Sequence, residues 1–164
     1  MLKSFICVAL AAFHTFFFNI FTSDKNQTVG VNQYMENQVF EGFGTSSCWW
    51  SQTIDSEETA REIARLLYDD KTGLGLDIYR YNIGGGEKDN PDCRIGDVTR
   101  RTESFYVLNK ETGEYEFDFT RDANARRMLD MAVEYGAKEV ILFCNSPHFS
   151  MTASGQASGG LTEY

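Results

Sequence analysis

The sequence predicts an α/β fold in which parallel strands alternate with helices. Three short apolar segments have the length of strands, two longer segments repeat their apolar residues at helical spacing, and the order is β-α-β-α-β. The turns after the helices are short, whereas the segments after the strands are long and polar. Because the loops after the strands build the active site in (β/α)8 barrels, this asymmetry indicates the N-terminal part of a (β/α)8 TIM barrel.

The first strand and helix are predicted within residues 39–69. Residues 39–44 are predicted to form a strand that runs into a glycine-rich turn, and residues 55–69 a helix. Either Asp55 or Ser56 can cap this helix, because short polar side chains accept hydrogen bonds from the free N–H groups of the first turn. The apolar residues at helical spacing are Ala60, Ile63, Ala64 and Leu67.

A second strand is predicted over residues 76–82, and the three glycines 84–86 follow it. These glycines have neither the pattern of a phosphate-binding loop nor a helix directly after them, so we expect a close approach of the backbone to a ligand or a neighbouring loop. Residues 87–115 are polar and rich in turn signals and are predicted to form one long loop. Loops of this length in a compact domain usually carry function.

The second helix is predicted over residues 120–135, with Gly136 as the residue that ends it. Residues 140–143 are predicted to form a third strand, apolar on both faces as buried parallel strands are. A barrel of this type needs about 250 residues, and the sequence has 164. Three strands would leave an open sheet edge, so we expect an incomplete barrel domain.

The composition divides the sequence into three segments. Residues 1–22 combine Lys3 with a long apolar run and resemble a signal peptide or membrane anchor, residues 23–38 form a lead-in segment, and residues 39–164 form the barrel domain. We therefore expect a secreted or cell-surface attached protein that contacts a membrane only through residues 1–22.

Charge and cysteine content exclude several functional classes. The chain has 24 acidic and 15 basic residues, and its net charge of -9 repels phosphate backbones, so we expect no nucleic-acid partner. The four cysteines form no CxxC pair, and only two histidines are present. This spacing predicts neither a zinc site nor a dense disulfide framework.

Polar and aromatic residues gather where each predicted strand ends. Because the carboxyl ends of adjacent parallel strands meet at one edge, we expect these residues to face a common ligand. A tryptophan ring covers the C–H face of a pyranose while its N–H binds a hydroxyl, so the pattern indicates a polysaccharide or oligosaccharide substrate. The candidate substrate-binding residues are Trp49 and Trp50 after the first strand, Arg80 and Asn82 at the second, and Asn145, Ser146, His148 and Phe149 after the third.

Each of these residues also has a structural interpretation. The tryptophans can be core or lid residues. Arg80 is expected to clamp a carboxylate, and its alternative is a structural ion pair with Asp77 or an acidic loop residue. Asn145 and Ser146 can cap the strand end, and His148 can be an ordinary loop residue.

Three ordered blocks of this sequence resemble glycoside hydrolase family 30, and most closely the branch that contains endo-β-1,6-galactanases. The blocks are the runs FEGFGTSSCWW at residues 40–50, LGLDIYRYNIGGG at residues 74–86, and FCNSP followed by MTASG within residues 143–155. The similarity extends over residues 39–160. One departure lies at residues 148–150, where relatives usually carry a second proline and one or two bulky aromatics but this chain has His-Phe-Ser.

The resemblance implies a retaining glycosidase with a glutamate acid/base after strand four and a glutamate nucleophile after strand seven. Neither strand is present in the sequence, so no catalytic residue is assigned and the chain alone is expected to be inactive. Arg80 matches the arginine that supports the nucleophile. The positions expected around the sugar are matched by Trp49, Trp50, Asn82, Asn145 and Ser146.

The leading hypothesis, which rests on this resemblance, is that the full-length protein hydrolyses a β-linked, galactose-containing polysaccharide without a metal or an organic cofactor. One alternative is a non-catalytic carbohydrate-binding remnant. Another is a family-30 enzyme of different specificity, of the xylanase or β-glucosidase type, and residues 148–150 bear on that choice without deciding it.

Overall fold

A computed structural model of the chain describes residues 30, 32, 34–35 and 37–163. The chain divides into two compact units, Met1–Val39 and Phe40–Tyr164. The predicted signal peptide or anchor over residues 1–22 lies outside the described residues, as does most of the lead-in segment over residues 23–38. In the part of the chain that the structure describes, no helix has the length and apolar character needed to cross a bilayer.

The second unit has a mixed α/β architecture built on a three-stranded parallel sheet. The middle strand of this sheet is the second predicted strand, and the first and third predicted strands pair with it on either side. The chain order of the three predicted strands and two predicted helices, and the parallel pairing of those strands, are thus confirmed. In chain order the elements are β1 (Gly44–Ser46), α1 (Glu57–Tyr68), β2 (Ile78–Ile83), β3 (Tyr106–Leu108), β4 (Tyr115–Phe117), α2 (Ala123–Glu134) and β5 (Glu139–Cys144), with single 3-10 turns at Ser51–Thr53, Val98–Arg100 and Phe149–Met151.

Helix α1 begins and ends as its sequence predicts. Ser56 is the N-cap, and its hydroxyl oxygen accepts a hydrogen bond from the backbone N–H of Thr59 at 3.2 Å. Glu57 and Glu58 occupy the first turn and Arg65 the last, so both ends complement the helix dipole. Asp55 instead accepts a hydrogen bond from Asn124 of α2 and links the two helices.

Helix α2 begins in a different way. Asp122 precedes it in the left-handed conformation, with φ of 53°, and makes no side-chain capping bond. Its carboxylate instead accepts a hydrogen bond from the Tyr81 hydroxyl at 2.6 Å, inside the core. At the other end the chain turns at Gly136, whose φ of 125° suits glycine. The predicted terminator of this helix is therefore confirmed.

The core lies between the helices and one face of the sheet. Tyr79 and Tyr81 project from β2 towards the helices and are buried. Fully buried alanines at positions 60 and 64 of α1 leave room for these large rings, and Met128 of α2 completes the contact. Large tyrosines from the sheet thus interdigitate with small residues from the helix, which gives a dense core.

The predicted boundary of the first strand is wrong. Strand β1 starts at Gly44, and its partner strand starts opposite it at Ile78. The carbonyl of Phe43 accepts hydrogen bonds from the N–H groups of Asp77 and Ile78, at 2.8 and 3.1 Å. Residues before this point do not belong to the strand, and Phe40 is exposed. The sequence prediction extends the strand back to Val39 because apolar composition alone does not reveal where strand pairing begins.

The prediction of one long loop over residues 87–115 is also wrong in part. Residues 106–108 and 115–117 pair as an antiparallel hairpin, β3 with β4. The Tyr106 and Tyr115 rings stack across it, with centroids 5.0 Å apart. The turn is closed by Asn109, whose N–H donates to the carbonyl of Glu114 at 2.8 Å and whose carbonyl accepts from the N–H of Gly113 at 2.8 Å. Two aromatic strands around a glycine-containing turn are a hairpin signal that the sequence carries.

Strand β5 forms one edge of the described sheet. The sequence predicts a strand buried on both faces, yet Val140, Ile141 and Leu142 are all exposed, Leu142 by 64%. Tyr79 and Tyr81 pair with Val140 and Leu142, so these two apolar residues face the helix layer, whereas Ile141 faces the opposite side. No described element covers either face at this edge.

Candidate active-site region

Arg80 lies at the centre of a cluster on the sheet face opposite the helices. The parallel register aligns Ser46 with Arg80 and places Phe143 opposite Asn82. The guanidinium Nη1 of Arg80 donates to the Ser46 hydroxyl at 3.4 Å, and its central carbon lies 3.6 Å from the centroid of the Phe143 ring. We call Ser46, Arg80, Asn82 and Phe143 the strand-end cluster.

The guanidinium of Arg80 has no carboxylate partner among residues 37–163. The alternative ion pair with Asp77 does not form, because Asp77 accepts a hydrogen bond from the ammonium of Lys138 at 2.6 Å. That hydrogen bond holds the pKa of Asp77 below its usual value. Arg80 therefore presents a positive charge that a cation–π contact orients and that no described carboxylate neutralises.

Asn82 contributes an unused acceptor to the same cluster. The residue is 8% exposed, and its side-chain carbonyl oxygen is buried with no hydrogen-bond partner among the described residues. It lines a small cavity with Trp49, Thr102 and Asp122. A buried amide oxygen left without a donor costs free energy, so a hydroxyl donor at this position would be stabilising.

The two tryptophans have different environments. Trp50 packs against the hydrophobic core, and its indole N–H donates to the Ser46 carbonyl at 2.8 Å. Trp49 follows a cis peptide bond and lies under the guanidinium of Arg100, 4.4 Å from the ring centroid. The N–H of Trp50 is thus engaged by the backbone and not free to bind a hydroxyl, whereas Trp49 borders the small cavity beside Asn82.

Asn145 and Ser146 directly follow β5. Asn145 is exposed, and its side chain makes no hydrogen bond within the described part of the chain. Ser146 is buried, and its backbone carbonyl accepts a hydrogen bond from the Cys144 thiol at 3.1 Å. The Ser146 carbonyl after β5 is therefore satisfied by the Cys144 thiol, and the Asn145 amide is free to bind a ligand.

His148 and Phe149 lie outside the strand-end cluster and pack near the β3–β4 hairpin. His148 is 6% exposed, and its ring meets those of Tyr106 and Tyr115 edge-on, with centroids 5.4 Å away in each pair. The ring nitrogen Nδ1 accepts from the N–H of Ser150 at 3.3 Å. Burial lowers the pKa of His148, although the nearby Asp89 and Glu87 oppose this shift. Burial within an aromatic cluster thus favours the neutral form of the imidazole.

The glycines after β2 allow this packing. Gly86 has a φ of 83°, and a Cβ at that position would lie 2.6 Å from Nε2 of His148. A Cβ on Gly84 would meet the backbone oxygen of Glu103. The expectation of close approach by a neighbouring loop is therefore confirmed, with the imidazole and a backbone carbonyl as the groups that approach.

Sequence reasoning missed several residues at these two places. Ser46 and Phe143 hold the Arg80 guanidinium, and the alignment of adjacent strands would have revealed them once the register was known. Glu87 is buried and accepts hydrogen bonds from both the hydroxyl and the N–H of Thr102, which ties down the long segment after β2. No local signal in the sequence distinguishes Glu87 from its exposed acidic neighbours.

Comparison with known proteins supports a glycosidase relationship. The model of O-glycosyl hydrolase family 30 matches residues 26–162 and confirms the resemblance that the three sequence blocks carry. The endo-β-1,6-galactanase of Hypocrea rufa is 26% identical over 138 residues, which cover 74% of this chain and 28% of that protein.

Two solved structures are similar as well. A conserved exported protein from Bacteroides fragilis superposes with a TM-score of 0.65 at 27% identity, over 77% of this chain and 27% of that one. The catalytic domain of GH30 xylanase C from Talaromyces cellulolyticus gives a TM-score of 0.46 at 17% identity, over 72% of this chain and 25% of that one. The chain thus spans less than a third of the length of each of these proteins.

Proposed function

The chain belongs to O-glycosyl hydrolase family 30. We propose that it forms the first three strands of a (β/α)8 barrel. We further propose that this barrel hydrolyses a β-linked, galactose-containing polysaccharide. The observation that carries the proposal is the strand-end cluster, in which Arg80 offers an unneutralised guanidinium beside the unused acceptor of Asn82. The similarity to an endo-β-1,6-galactanase supports galactan as the substrate class.

In this proposal Arg80 is a positioning residue for a catalytic carboxylate. A retaining glycosidase needs one carboxylate to attack the anomeric carbon and a second carboxyl group to protonate the departing oxygen, about 5–5.5 Å apart. A guanidinium beside the attacking carboxylate keeps it ionised and fixes its orientation through two parallel hydrogen bonds. Ser46 and Phe143 would hold the guanidinium ready for that contact.

The substrate itself would meet the neighbouring groups. Trp49 would stack on a pyranose face, and the Asn82 carbonyl would reach a sugar hydroxyl through a bridging water, since the cavity beside it holds only about 10 Å³. The exposed amide of Asn145 would bind a further hydroxyl at the end of β5, and the buried Ser146 would support Asn145 from below. Trp50 would support this surface from the core, because its N–H is already bonded to the backbone.

Hydrolysis would require carboxylates beyond those at the three described strand ends. We therefore expect the 164-residue chain to bind β-1,6-galactobiose without hydrolysing it, and a protein that also contains the remaining barrel strands to release galactose oligomers from β-1,6-galactan. Calorimetric titration measures the binding, and reducing-sugar release measures hydrolysis by each protein. Turnover by the 164-residue chain would contradict the proposed need for further carboxylates.

Replacement of Arg80 tests its role in the protein that contains the remaining strands. Arg80→Met keeps the contact with Phe143 but removes the guanidinium, and kcat should fall by about 10²-fold or more, as when other charge-stabilising groups are removed. The acidic limb of the pH profile should also move upward, because the nucleophile loses the charge that favours its ionised form.

Arg94→Met is the matched control, since Arg94 is exposed and its side chain makes no hydrogen bond to other described residues. An Arg80→Met enzyme with an unchanged pH profile would show that the guanidinium does not act on a catalytic carboxylate.

A non-catalytic carbohydrate-binding protein is the second candidate. It is favoured by the described strand ends themselves, which carry polar and aromatic groups but no pair of carboxylates. Sugar binding with no hydrolysis by the protein that contains the remaining strands would select this candidate. Hydrolysis of xylan or a β-glucoside instead of galactan would assign a different specificity within the family.

We also propose export to the cell exterior or surface. The apolar run within residues 1–22 supports this location, and a similar solved structure is described as an exported protein. Detection of the protein in the medium or at the surface of intact cells would test it, and a purely intracellular distribution would contradict it.

A further inference from the structure

A cavity of about 370 Å³ lies between the β3–β4 hairpin and the loops that follow β2 and β5. Its lining includes Leu108, Tyr115 and Phe149 but neither Arg80 nor Asn82, so it is distinct from the strand-end cluster. This volume is at the lower end of the range for small-molecule sites, roughly 300–1,000 Å³, and suits one or two sugar rings.

We call this space the hairpin cavity. Hydrogen bonds between the loops after β2 and β5 hold its walls in place. The side-chain amide of Asn90 donates to the carbonyl of Gly155 at 2.8 Å, and that of Gln156 donates to the carbonyl of Asp92 at 2.9 Å. The N–H of Phe149 donates to the carbonyl of Gly85 at 3.0 Å. A fourth bond runs from the N–H of Arg94 to the side-chain oxygen of Gln156 at 2.9 Å. The loop after β2 and the loop after β5 are therefore joined by four hydrogen bonds, which lowers the cost of ordering on binding.

The lining combines ring faces with charged groups. Tyr115 and Phe149 supply aromatic carbon, while Asp89 and Arg121 form an ion pair at 2.6 Å. Nε of Arg121 is buried without a partner within the described residues, and Lys110 forms no ion pair there. Aromatic faces match the C–H face of a pyranose, and paired opposite charges match its hydroxyls, which both donate and accept.

Other ligand classes fit these groups less well. A fully apolar ligand would remove water from the Asp89–Arg121 pair and would offer no hydrogen bonds in place of those that the water made. A phosphate or polyanion would meet Asp89 and the net charge of -9 on the chain. A neutral polyol with one apolar face avoids both costs.

We infer that the hairpin cavity is a second sugar-binding site, which takes a neutral hexopyranose unit of the polysaccharide away from the strand-end cluster. The inference rests on the proposed function for its substrate class. The β3–β4 hairpin then has a binding role, since it supplies Leu108, Lys110 and Tyr115 to the site. A branched or bent chain could then be held at two points.

Titration of the ¹⁵N-labelled 164-residue chain with β-1,6-galactobiose tests the inference. The amide signals of Leu108, Lys110 and Phe149 should shift in a saturable way, separately from those of Arg80 and Asn82. Leu108→Trp fills the cavity from a half-exposed position and should abolish the shifts at the hairpin while leaving those at the strand-end cluster.

A second variant removes one polar contact without disturbing the core. Lys110→Ala should weaken the hairpin binding by about 5-fold or more, the effect of losing one charged hydrogen bond. Lys71→Ala is the matched control, because Lys71 is also exposed, forms no ion pair in the described chain and does not line the cavity.

The possible outcomes separate the two proposals. Shifts confined to Arg80 and Asn82 would overturn the second site and leave the proposed function standing. Shifts confined to the hairpin would support the second site and count against sugar binding at the strand-end cluster. Hairpin shifts that persist unchanged in Leu108→Trp would show that the sugar does not occupy the cavity, and an absence of shifts at the hairpin would overturn the inference directly.

Discussion

Replacing Tyr81 with phenylalanine isolates one buried hydrogen bond that connects the sheet to the start of α2. The Tyr81 hydroxyl donates to the Asp122 carboxylate at 2.6 Å, and Asp122 is only 7% exposed. Tyr81→Phe keeps the ring, which stacks on Phe105 with centroids 6.4 Å apart, and removes only the hydroxyl. The variant therefore leaves a buried carboxylate without this donor and creates almost no cavity.

The expected cost follows from the charge on the acceptor. A hydrogen bond to a charged group is worth about 1.5–3 kcal/mol, compared with about 0.5–1.5 kcal/mol for a neutral one. The N–H of Asp122 remains bonded to Glu103 at 2.7 Å, so the backbone should stay in place. We expect Tyr81→Phe to lower the free energy of unfolding by about 2 kcal/mol at pH 7.

The loss should depend on pH. Burial raises the pKa of Asp122, the Tyr81 hydroxyl opposes that rise, and the nearby Glu103 adds to it. A carboxyl whose pKa is higher in the folded state contributes stability at low pH, and this contribution is lost as the pH rises through the folded-state pKa. Tyr81→Phe removes the group that favours ionisation, so the pKa of Asp122 should rise further and the destabilisation should be larger at pH 7 than at pH 3.

Urea unfolding of both proteins at pH 3 and pH 7 measures this difference. Tyr68→Phe is the control, because the Tyr68 hydroxyl is buried with no hydrogen-bond partner among the described residues and its removal should be neutral or stabilising. Equal losses at the two pH values, or a loss below about 0.5 kcal/mol at pH 7, would refute the reasoning.

Three further predictions concern other parts of the fold. Met128→Ala empties a fully buried position between α2 and the sheet and should cost about 2–5 kcal/mol in urea unfolding, whereas a loss under about 1 kcal/mol would mean that the core collapses around it. Ser56→Ala removes the cap that accepts from Thr59 and should cost about 0.5–2 kcal/mol, while Ser56→Asp should restore most of it. His148 should titrate below pH 6.5 by ¹H NMR in a His14→Gln background, since burial lowers the pKa of His148; a midpoint at or above 6.5 would contradict its burial. Because the His148 pKa is depressed on folding, its contribution to stability should be complete above pH 6.5 and decline as the pH falls towards the folded-state pKa.

Residues that act on their close sequence neighbours correctly predicted the start of α1 and the end of α2. Ser56 caps α1 and Gly136 ends α2 because these residues satisfy nearby backbone groups or adopt positive φ without help from distant parts of the chain. The spacing of Ala60 and Ala64 likewise identified the buried face of α1. The β3–β4 hairpin was missed although its signal was local, because a polar and turn-rich surrounding segment obscured two short strands.

The sequence alone predicts the alternation of strands and helices, the family to which the chain belongs, and the placement of Arg80 in the second strand. The contacts of these side chains are visible only in the folded chain. Arg80 packs on the ring of Phe143, the N–H of Trp50 donates to a backbone carbonyl, and His148 and Phe149 line the hairpin cavity. The physical reason is that periodicity and capping depend on neighbours within a few residues, whereas a side chain's partners depend on strand register and loop packing between residues far apart in the chain.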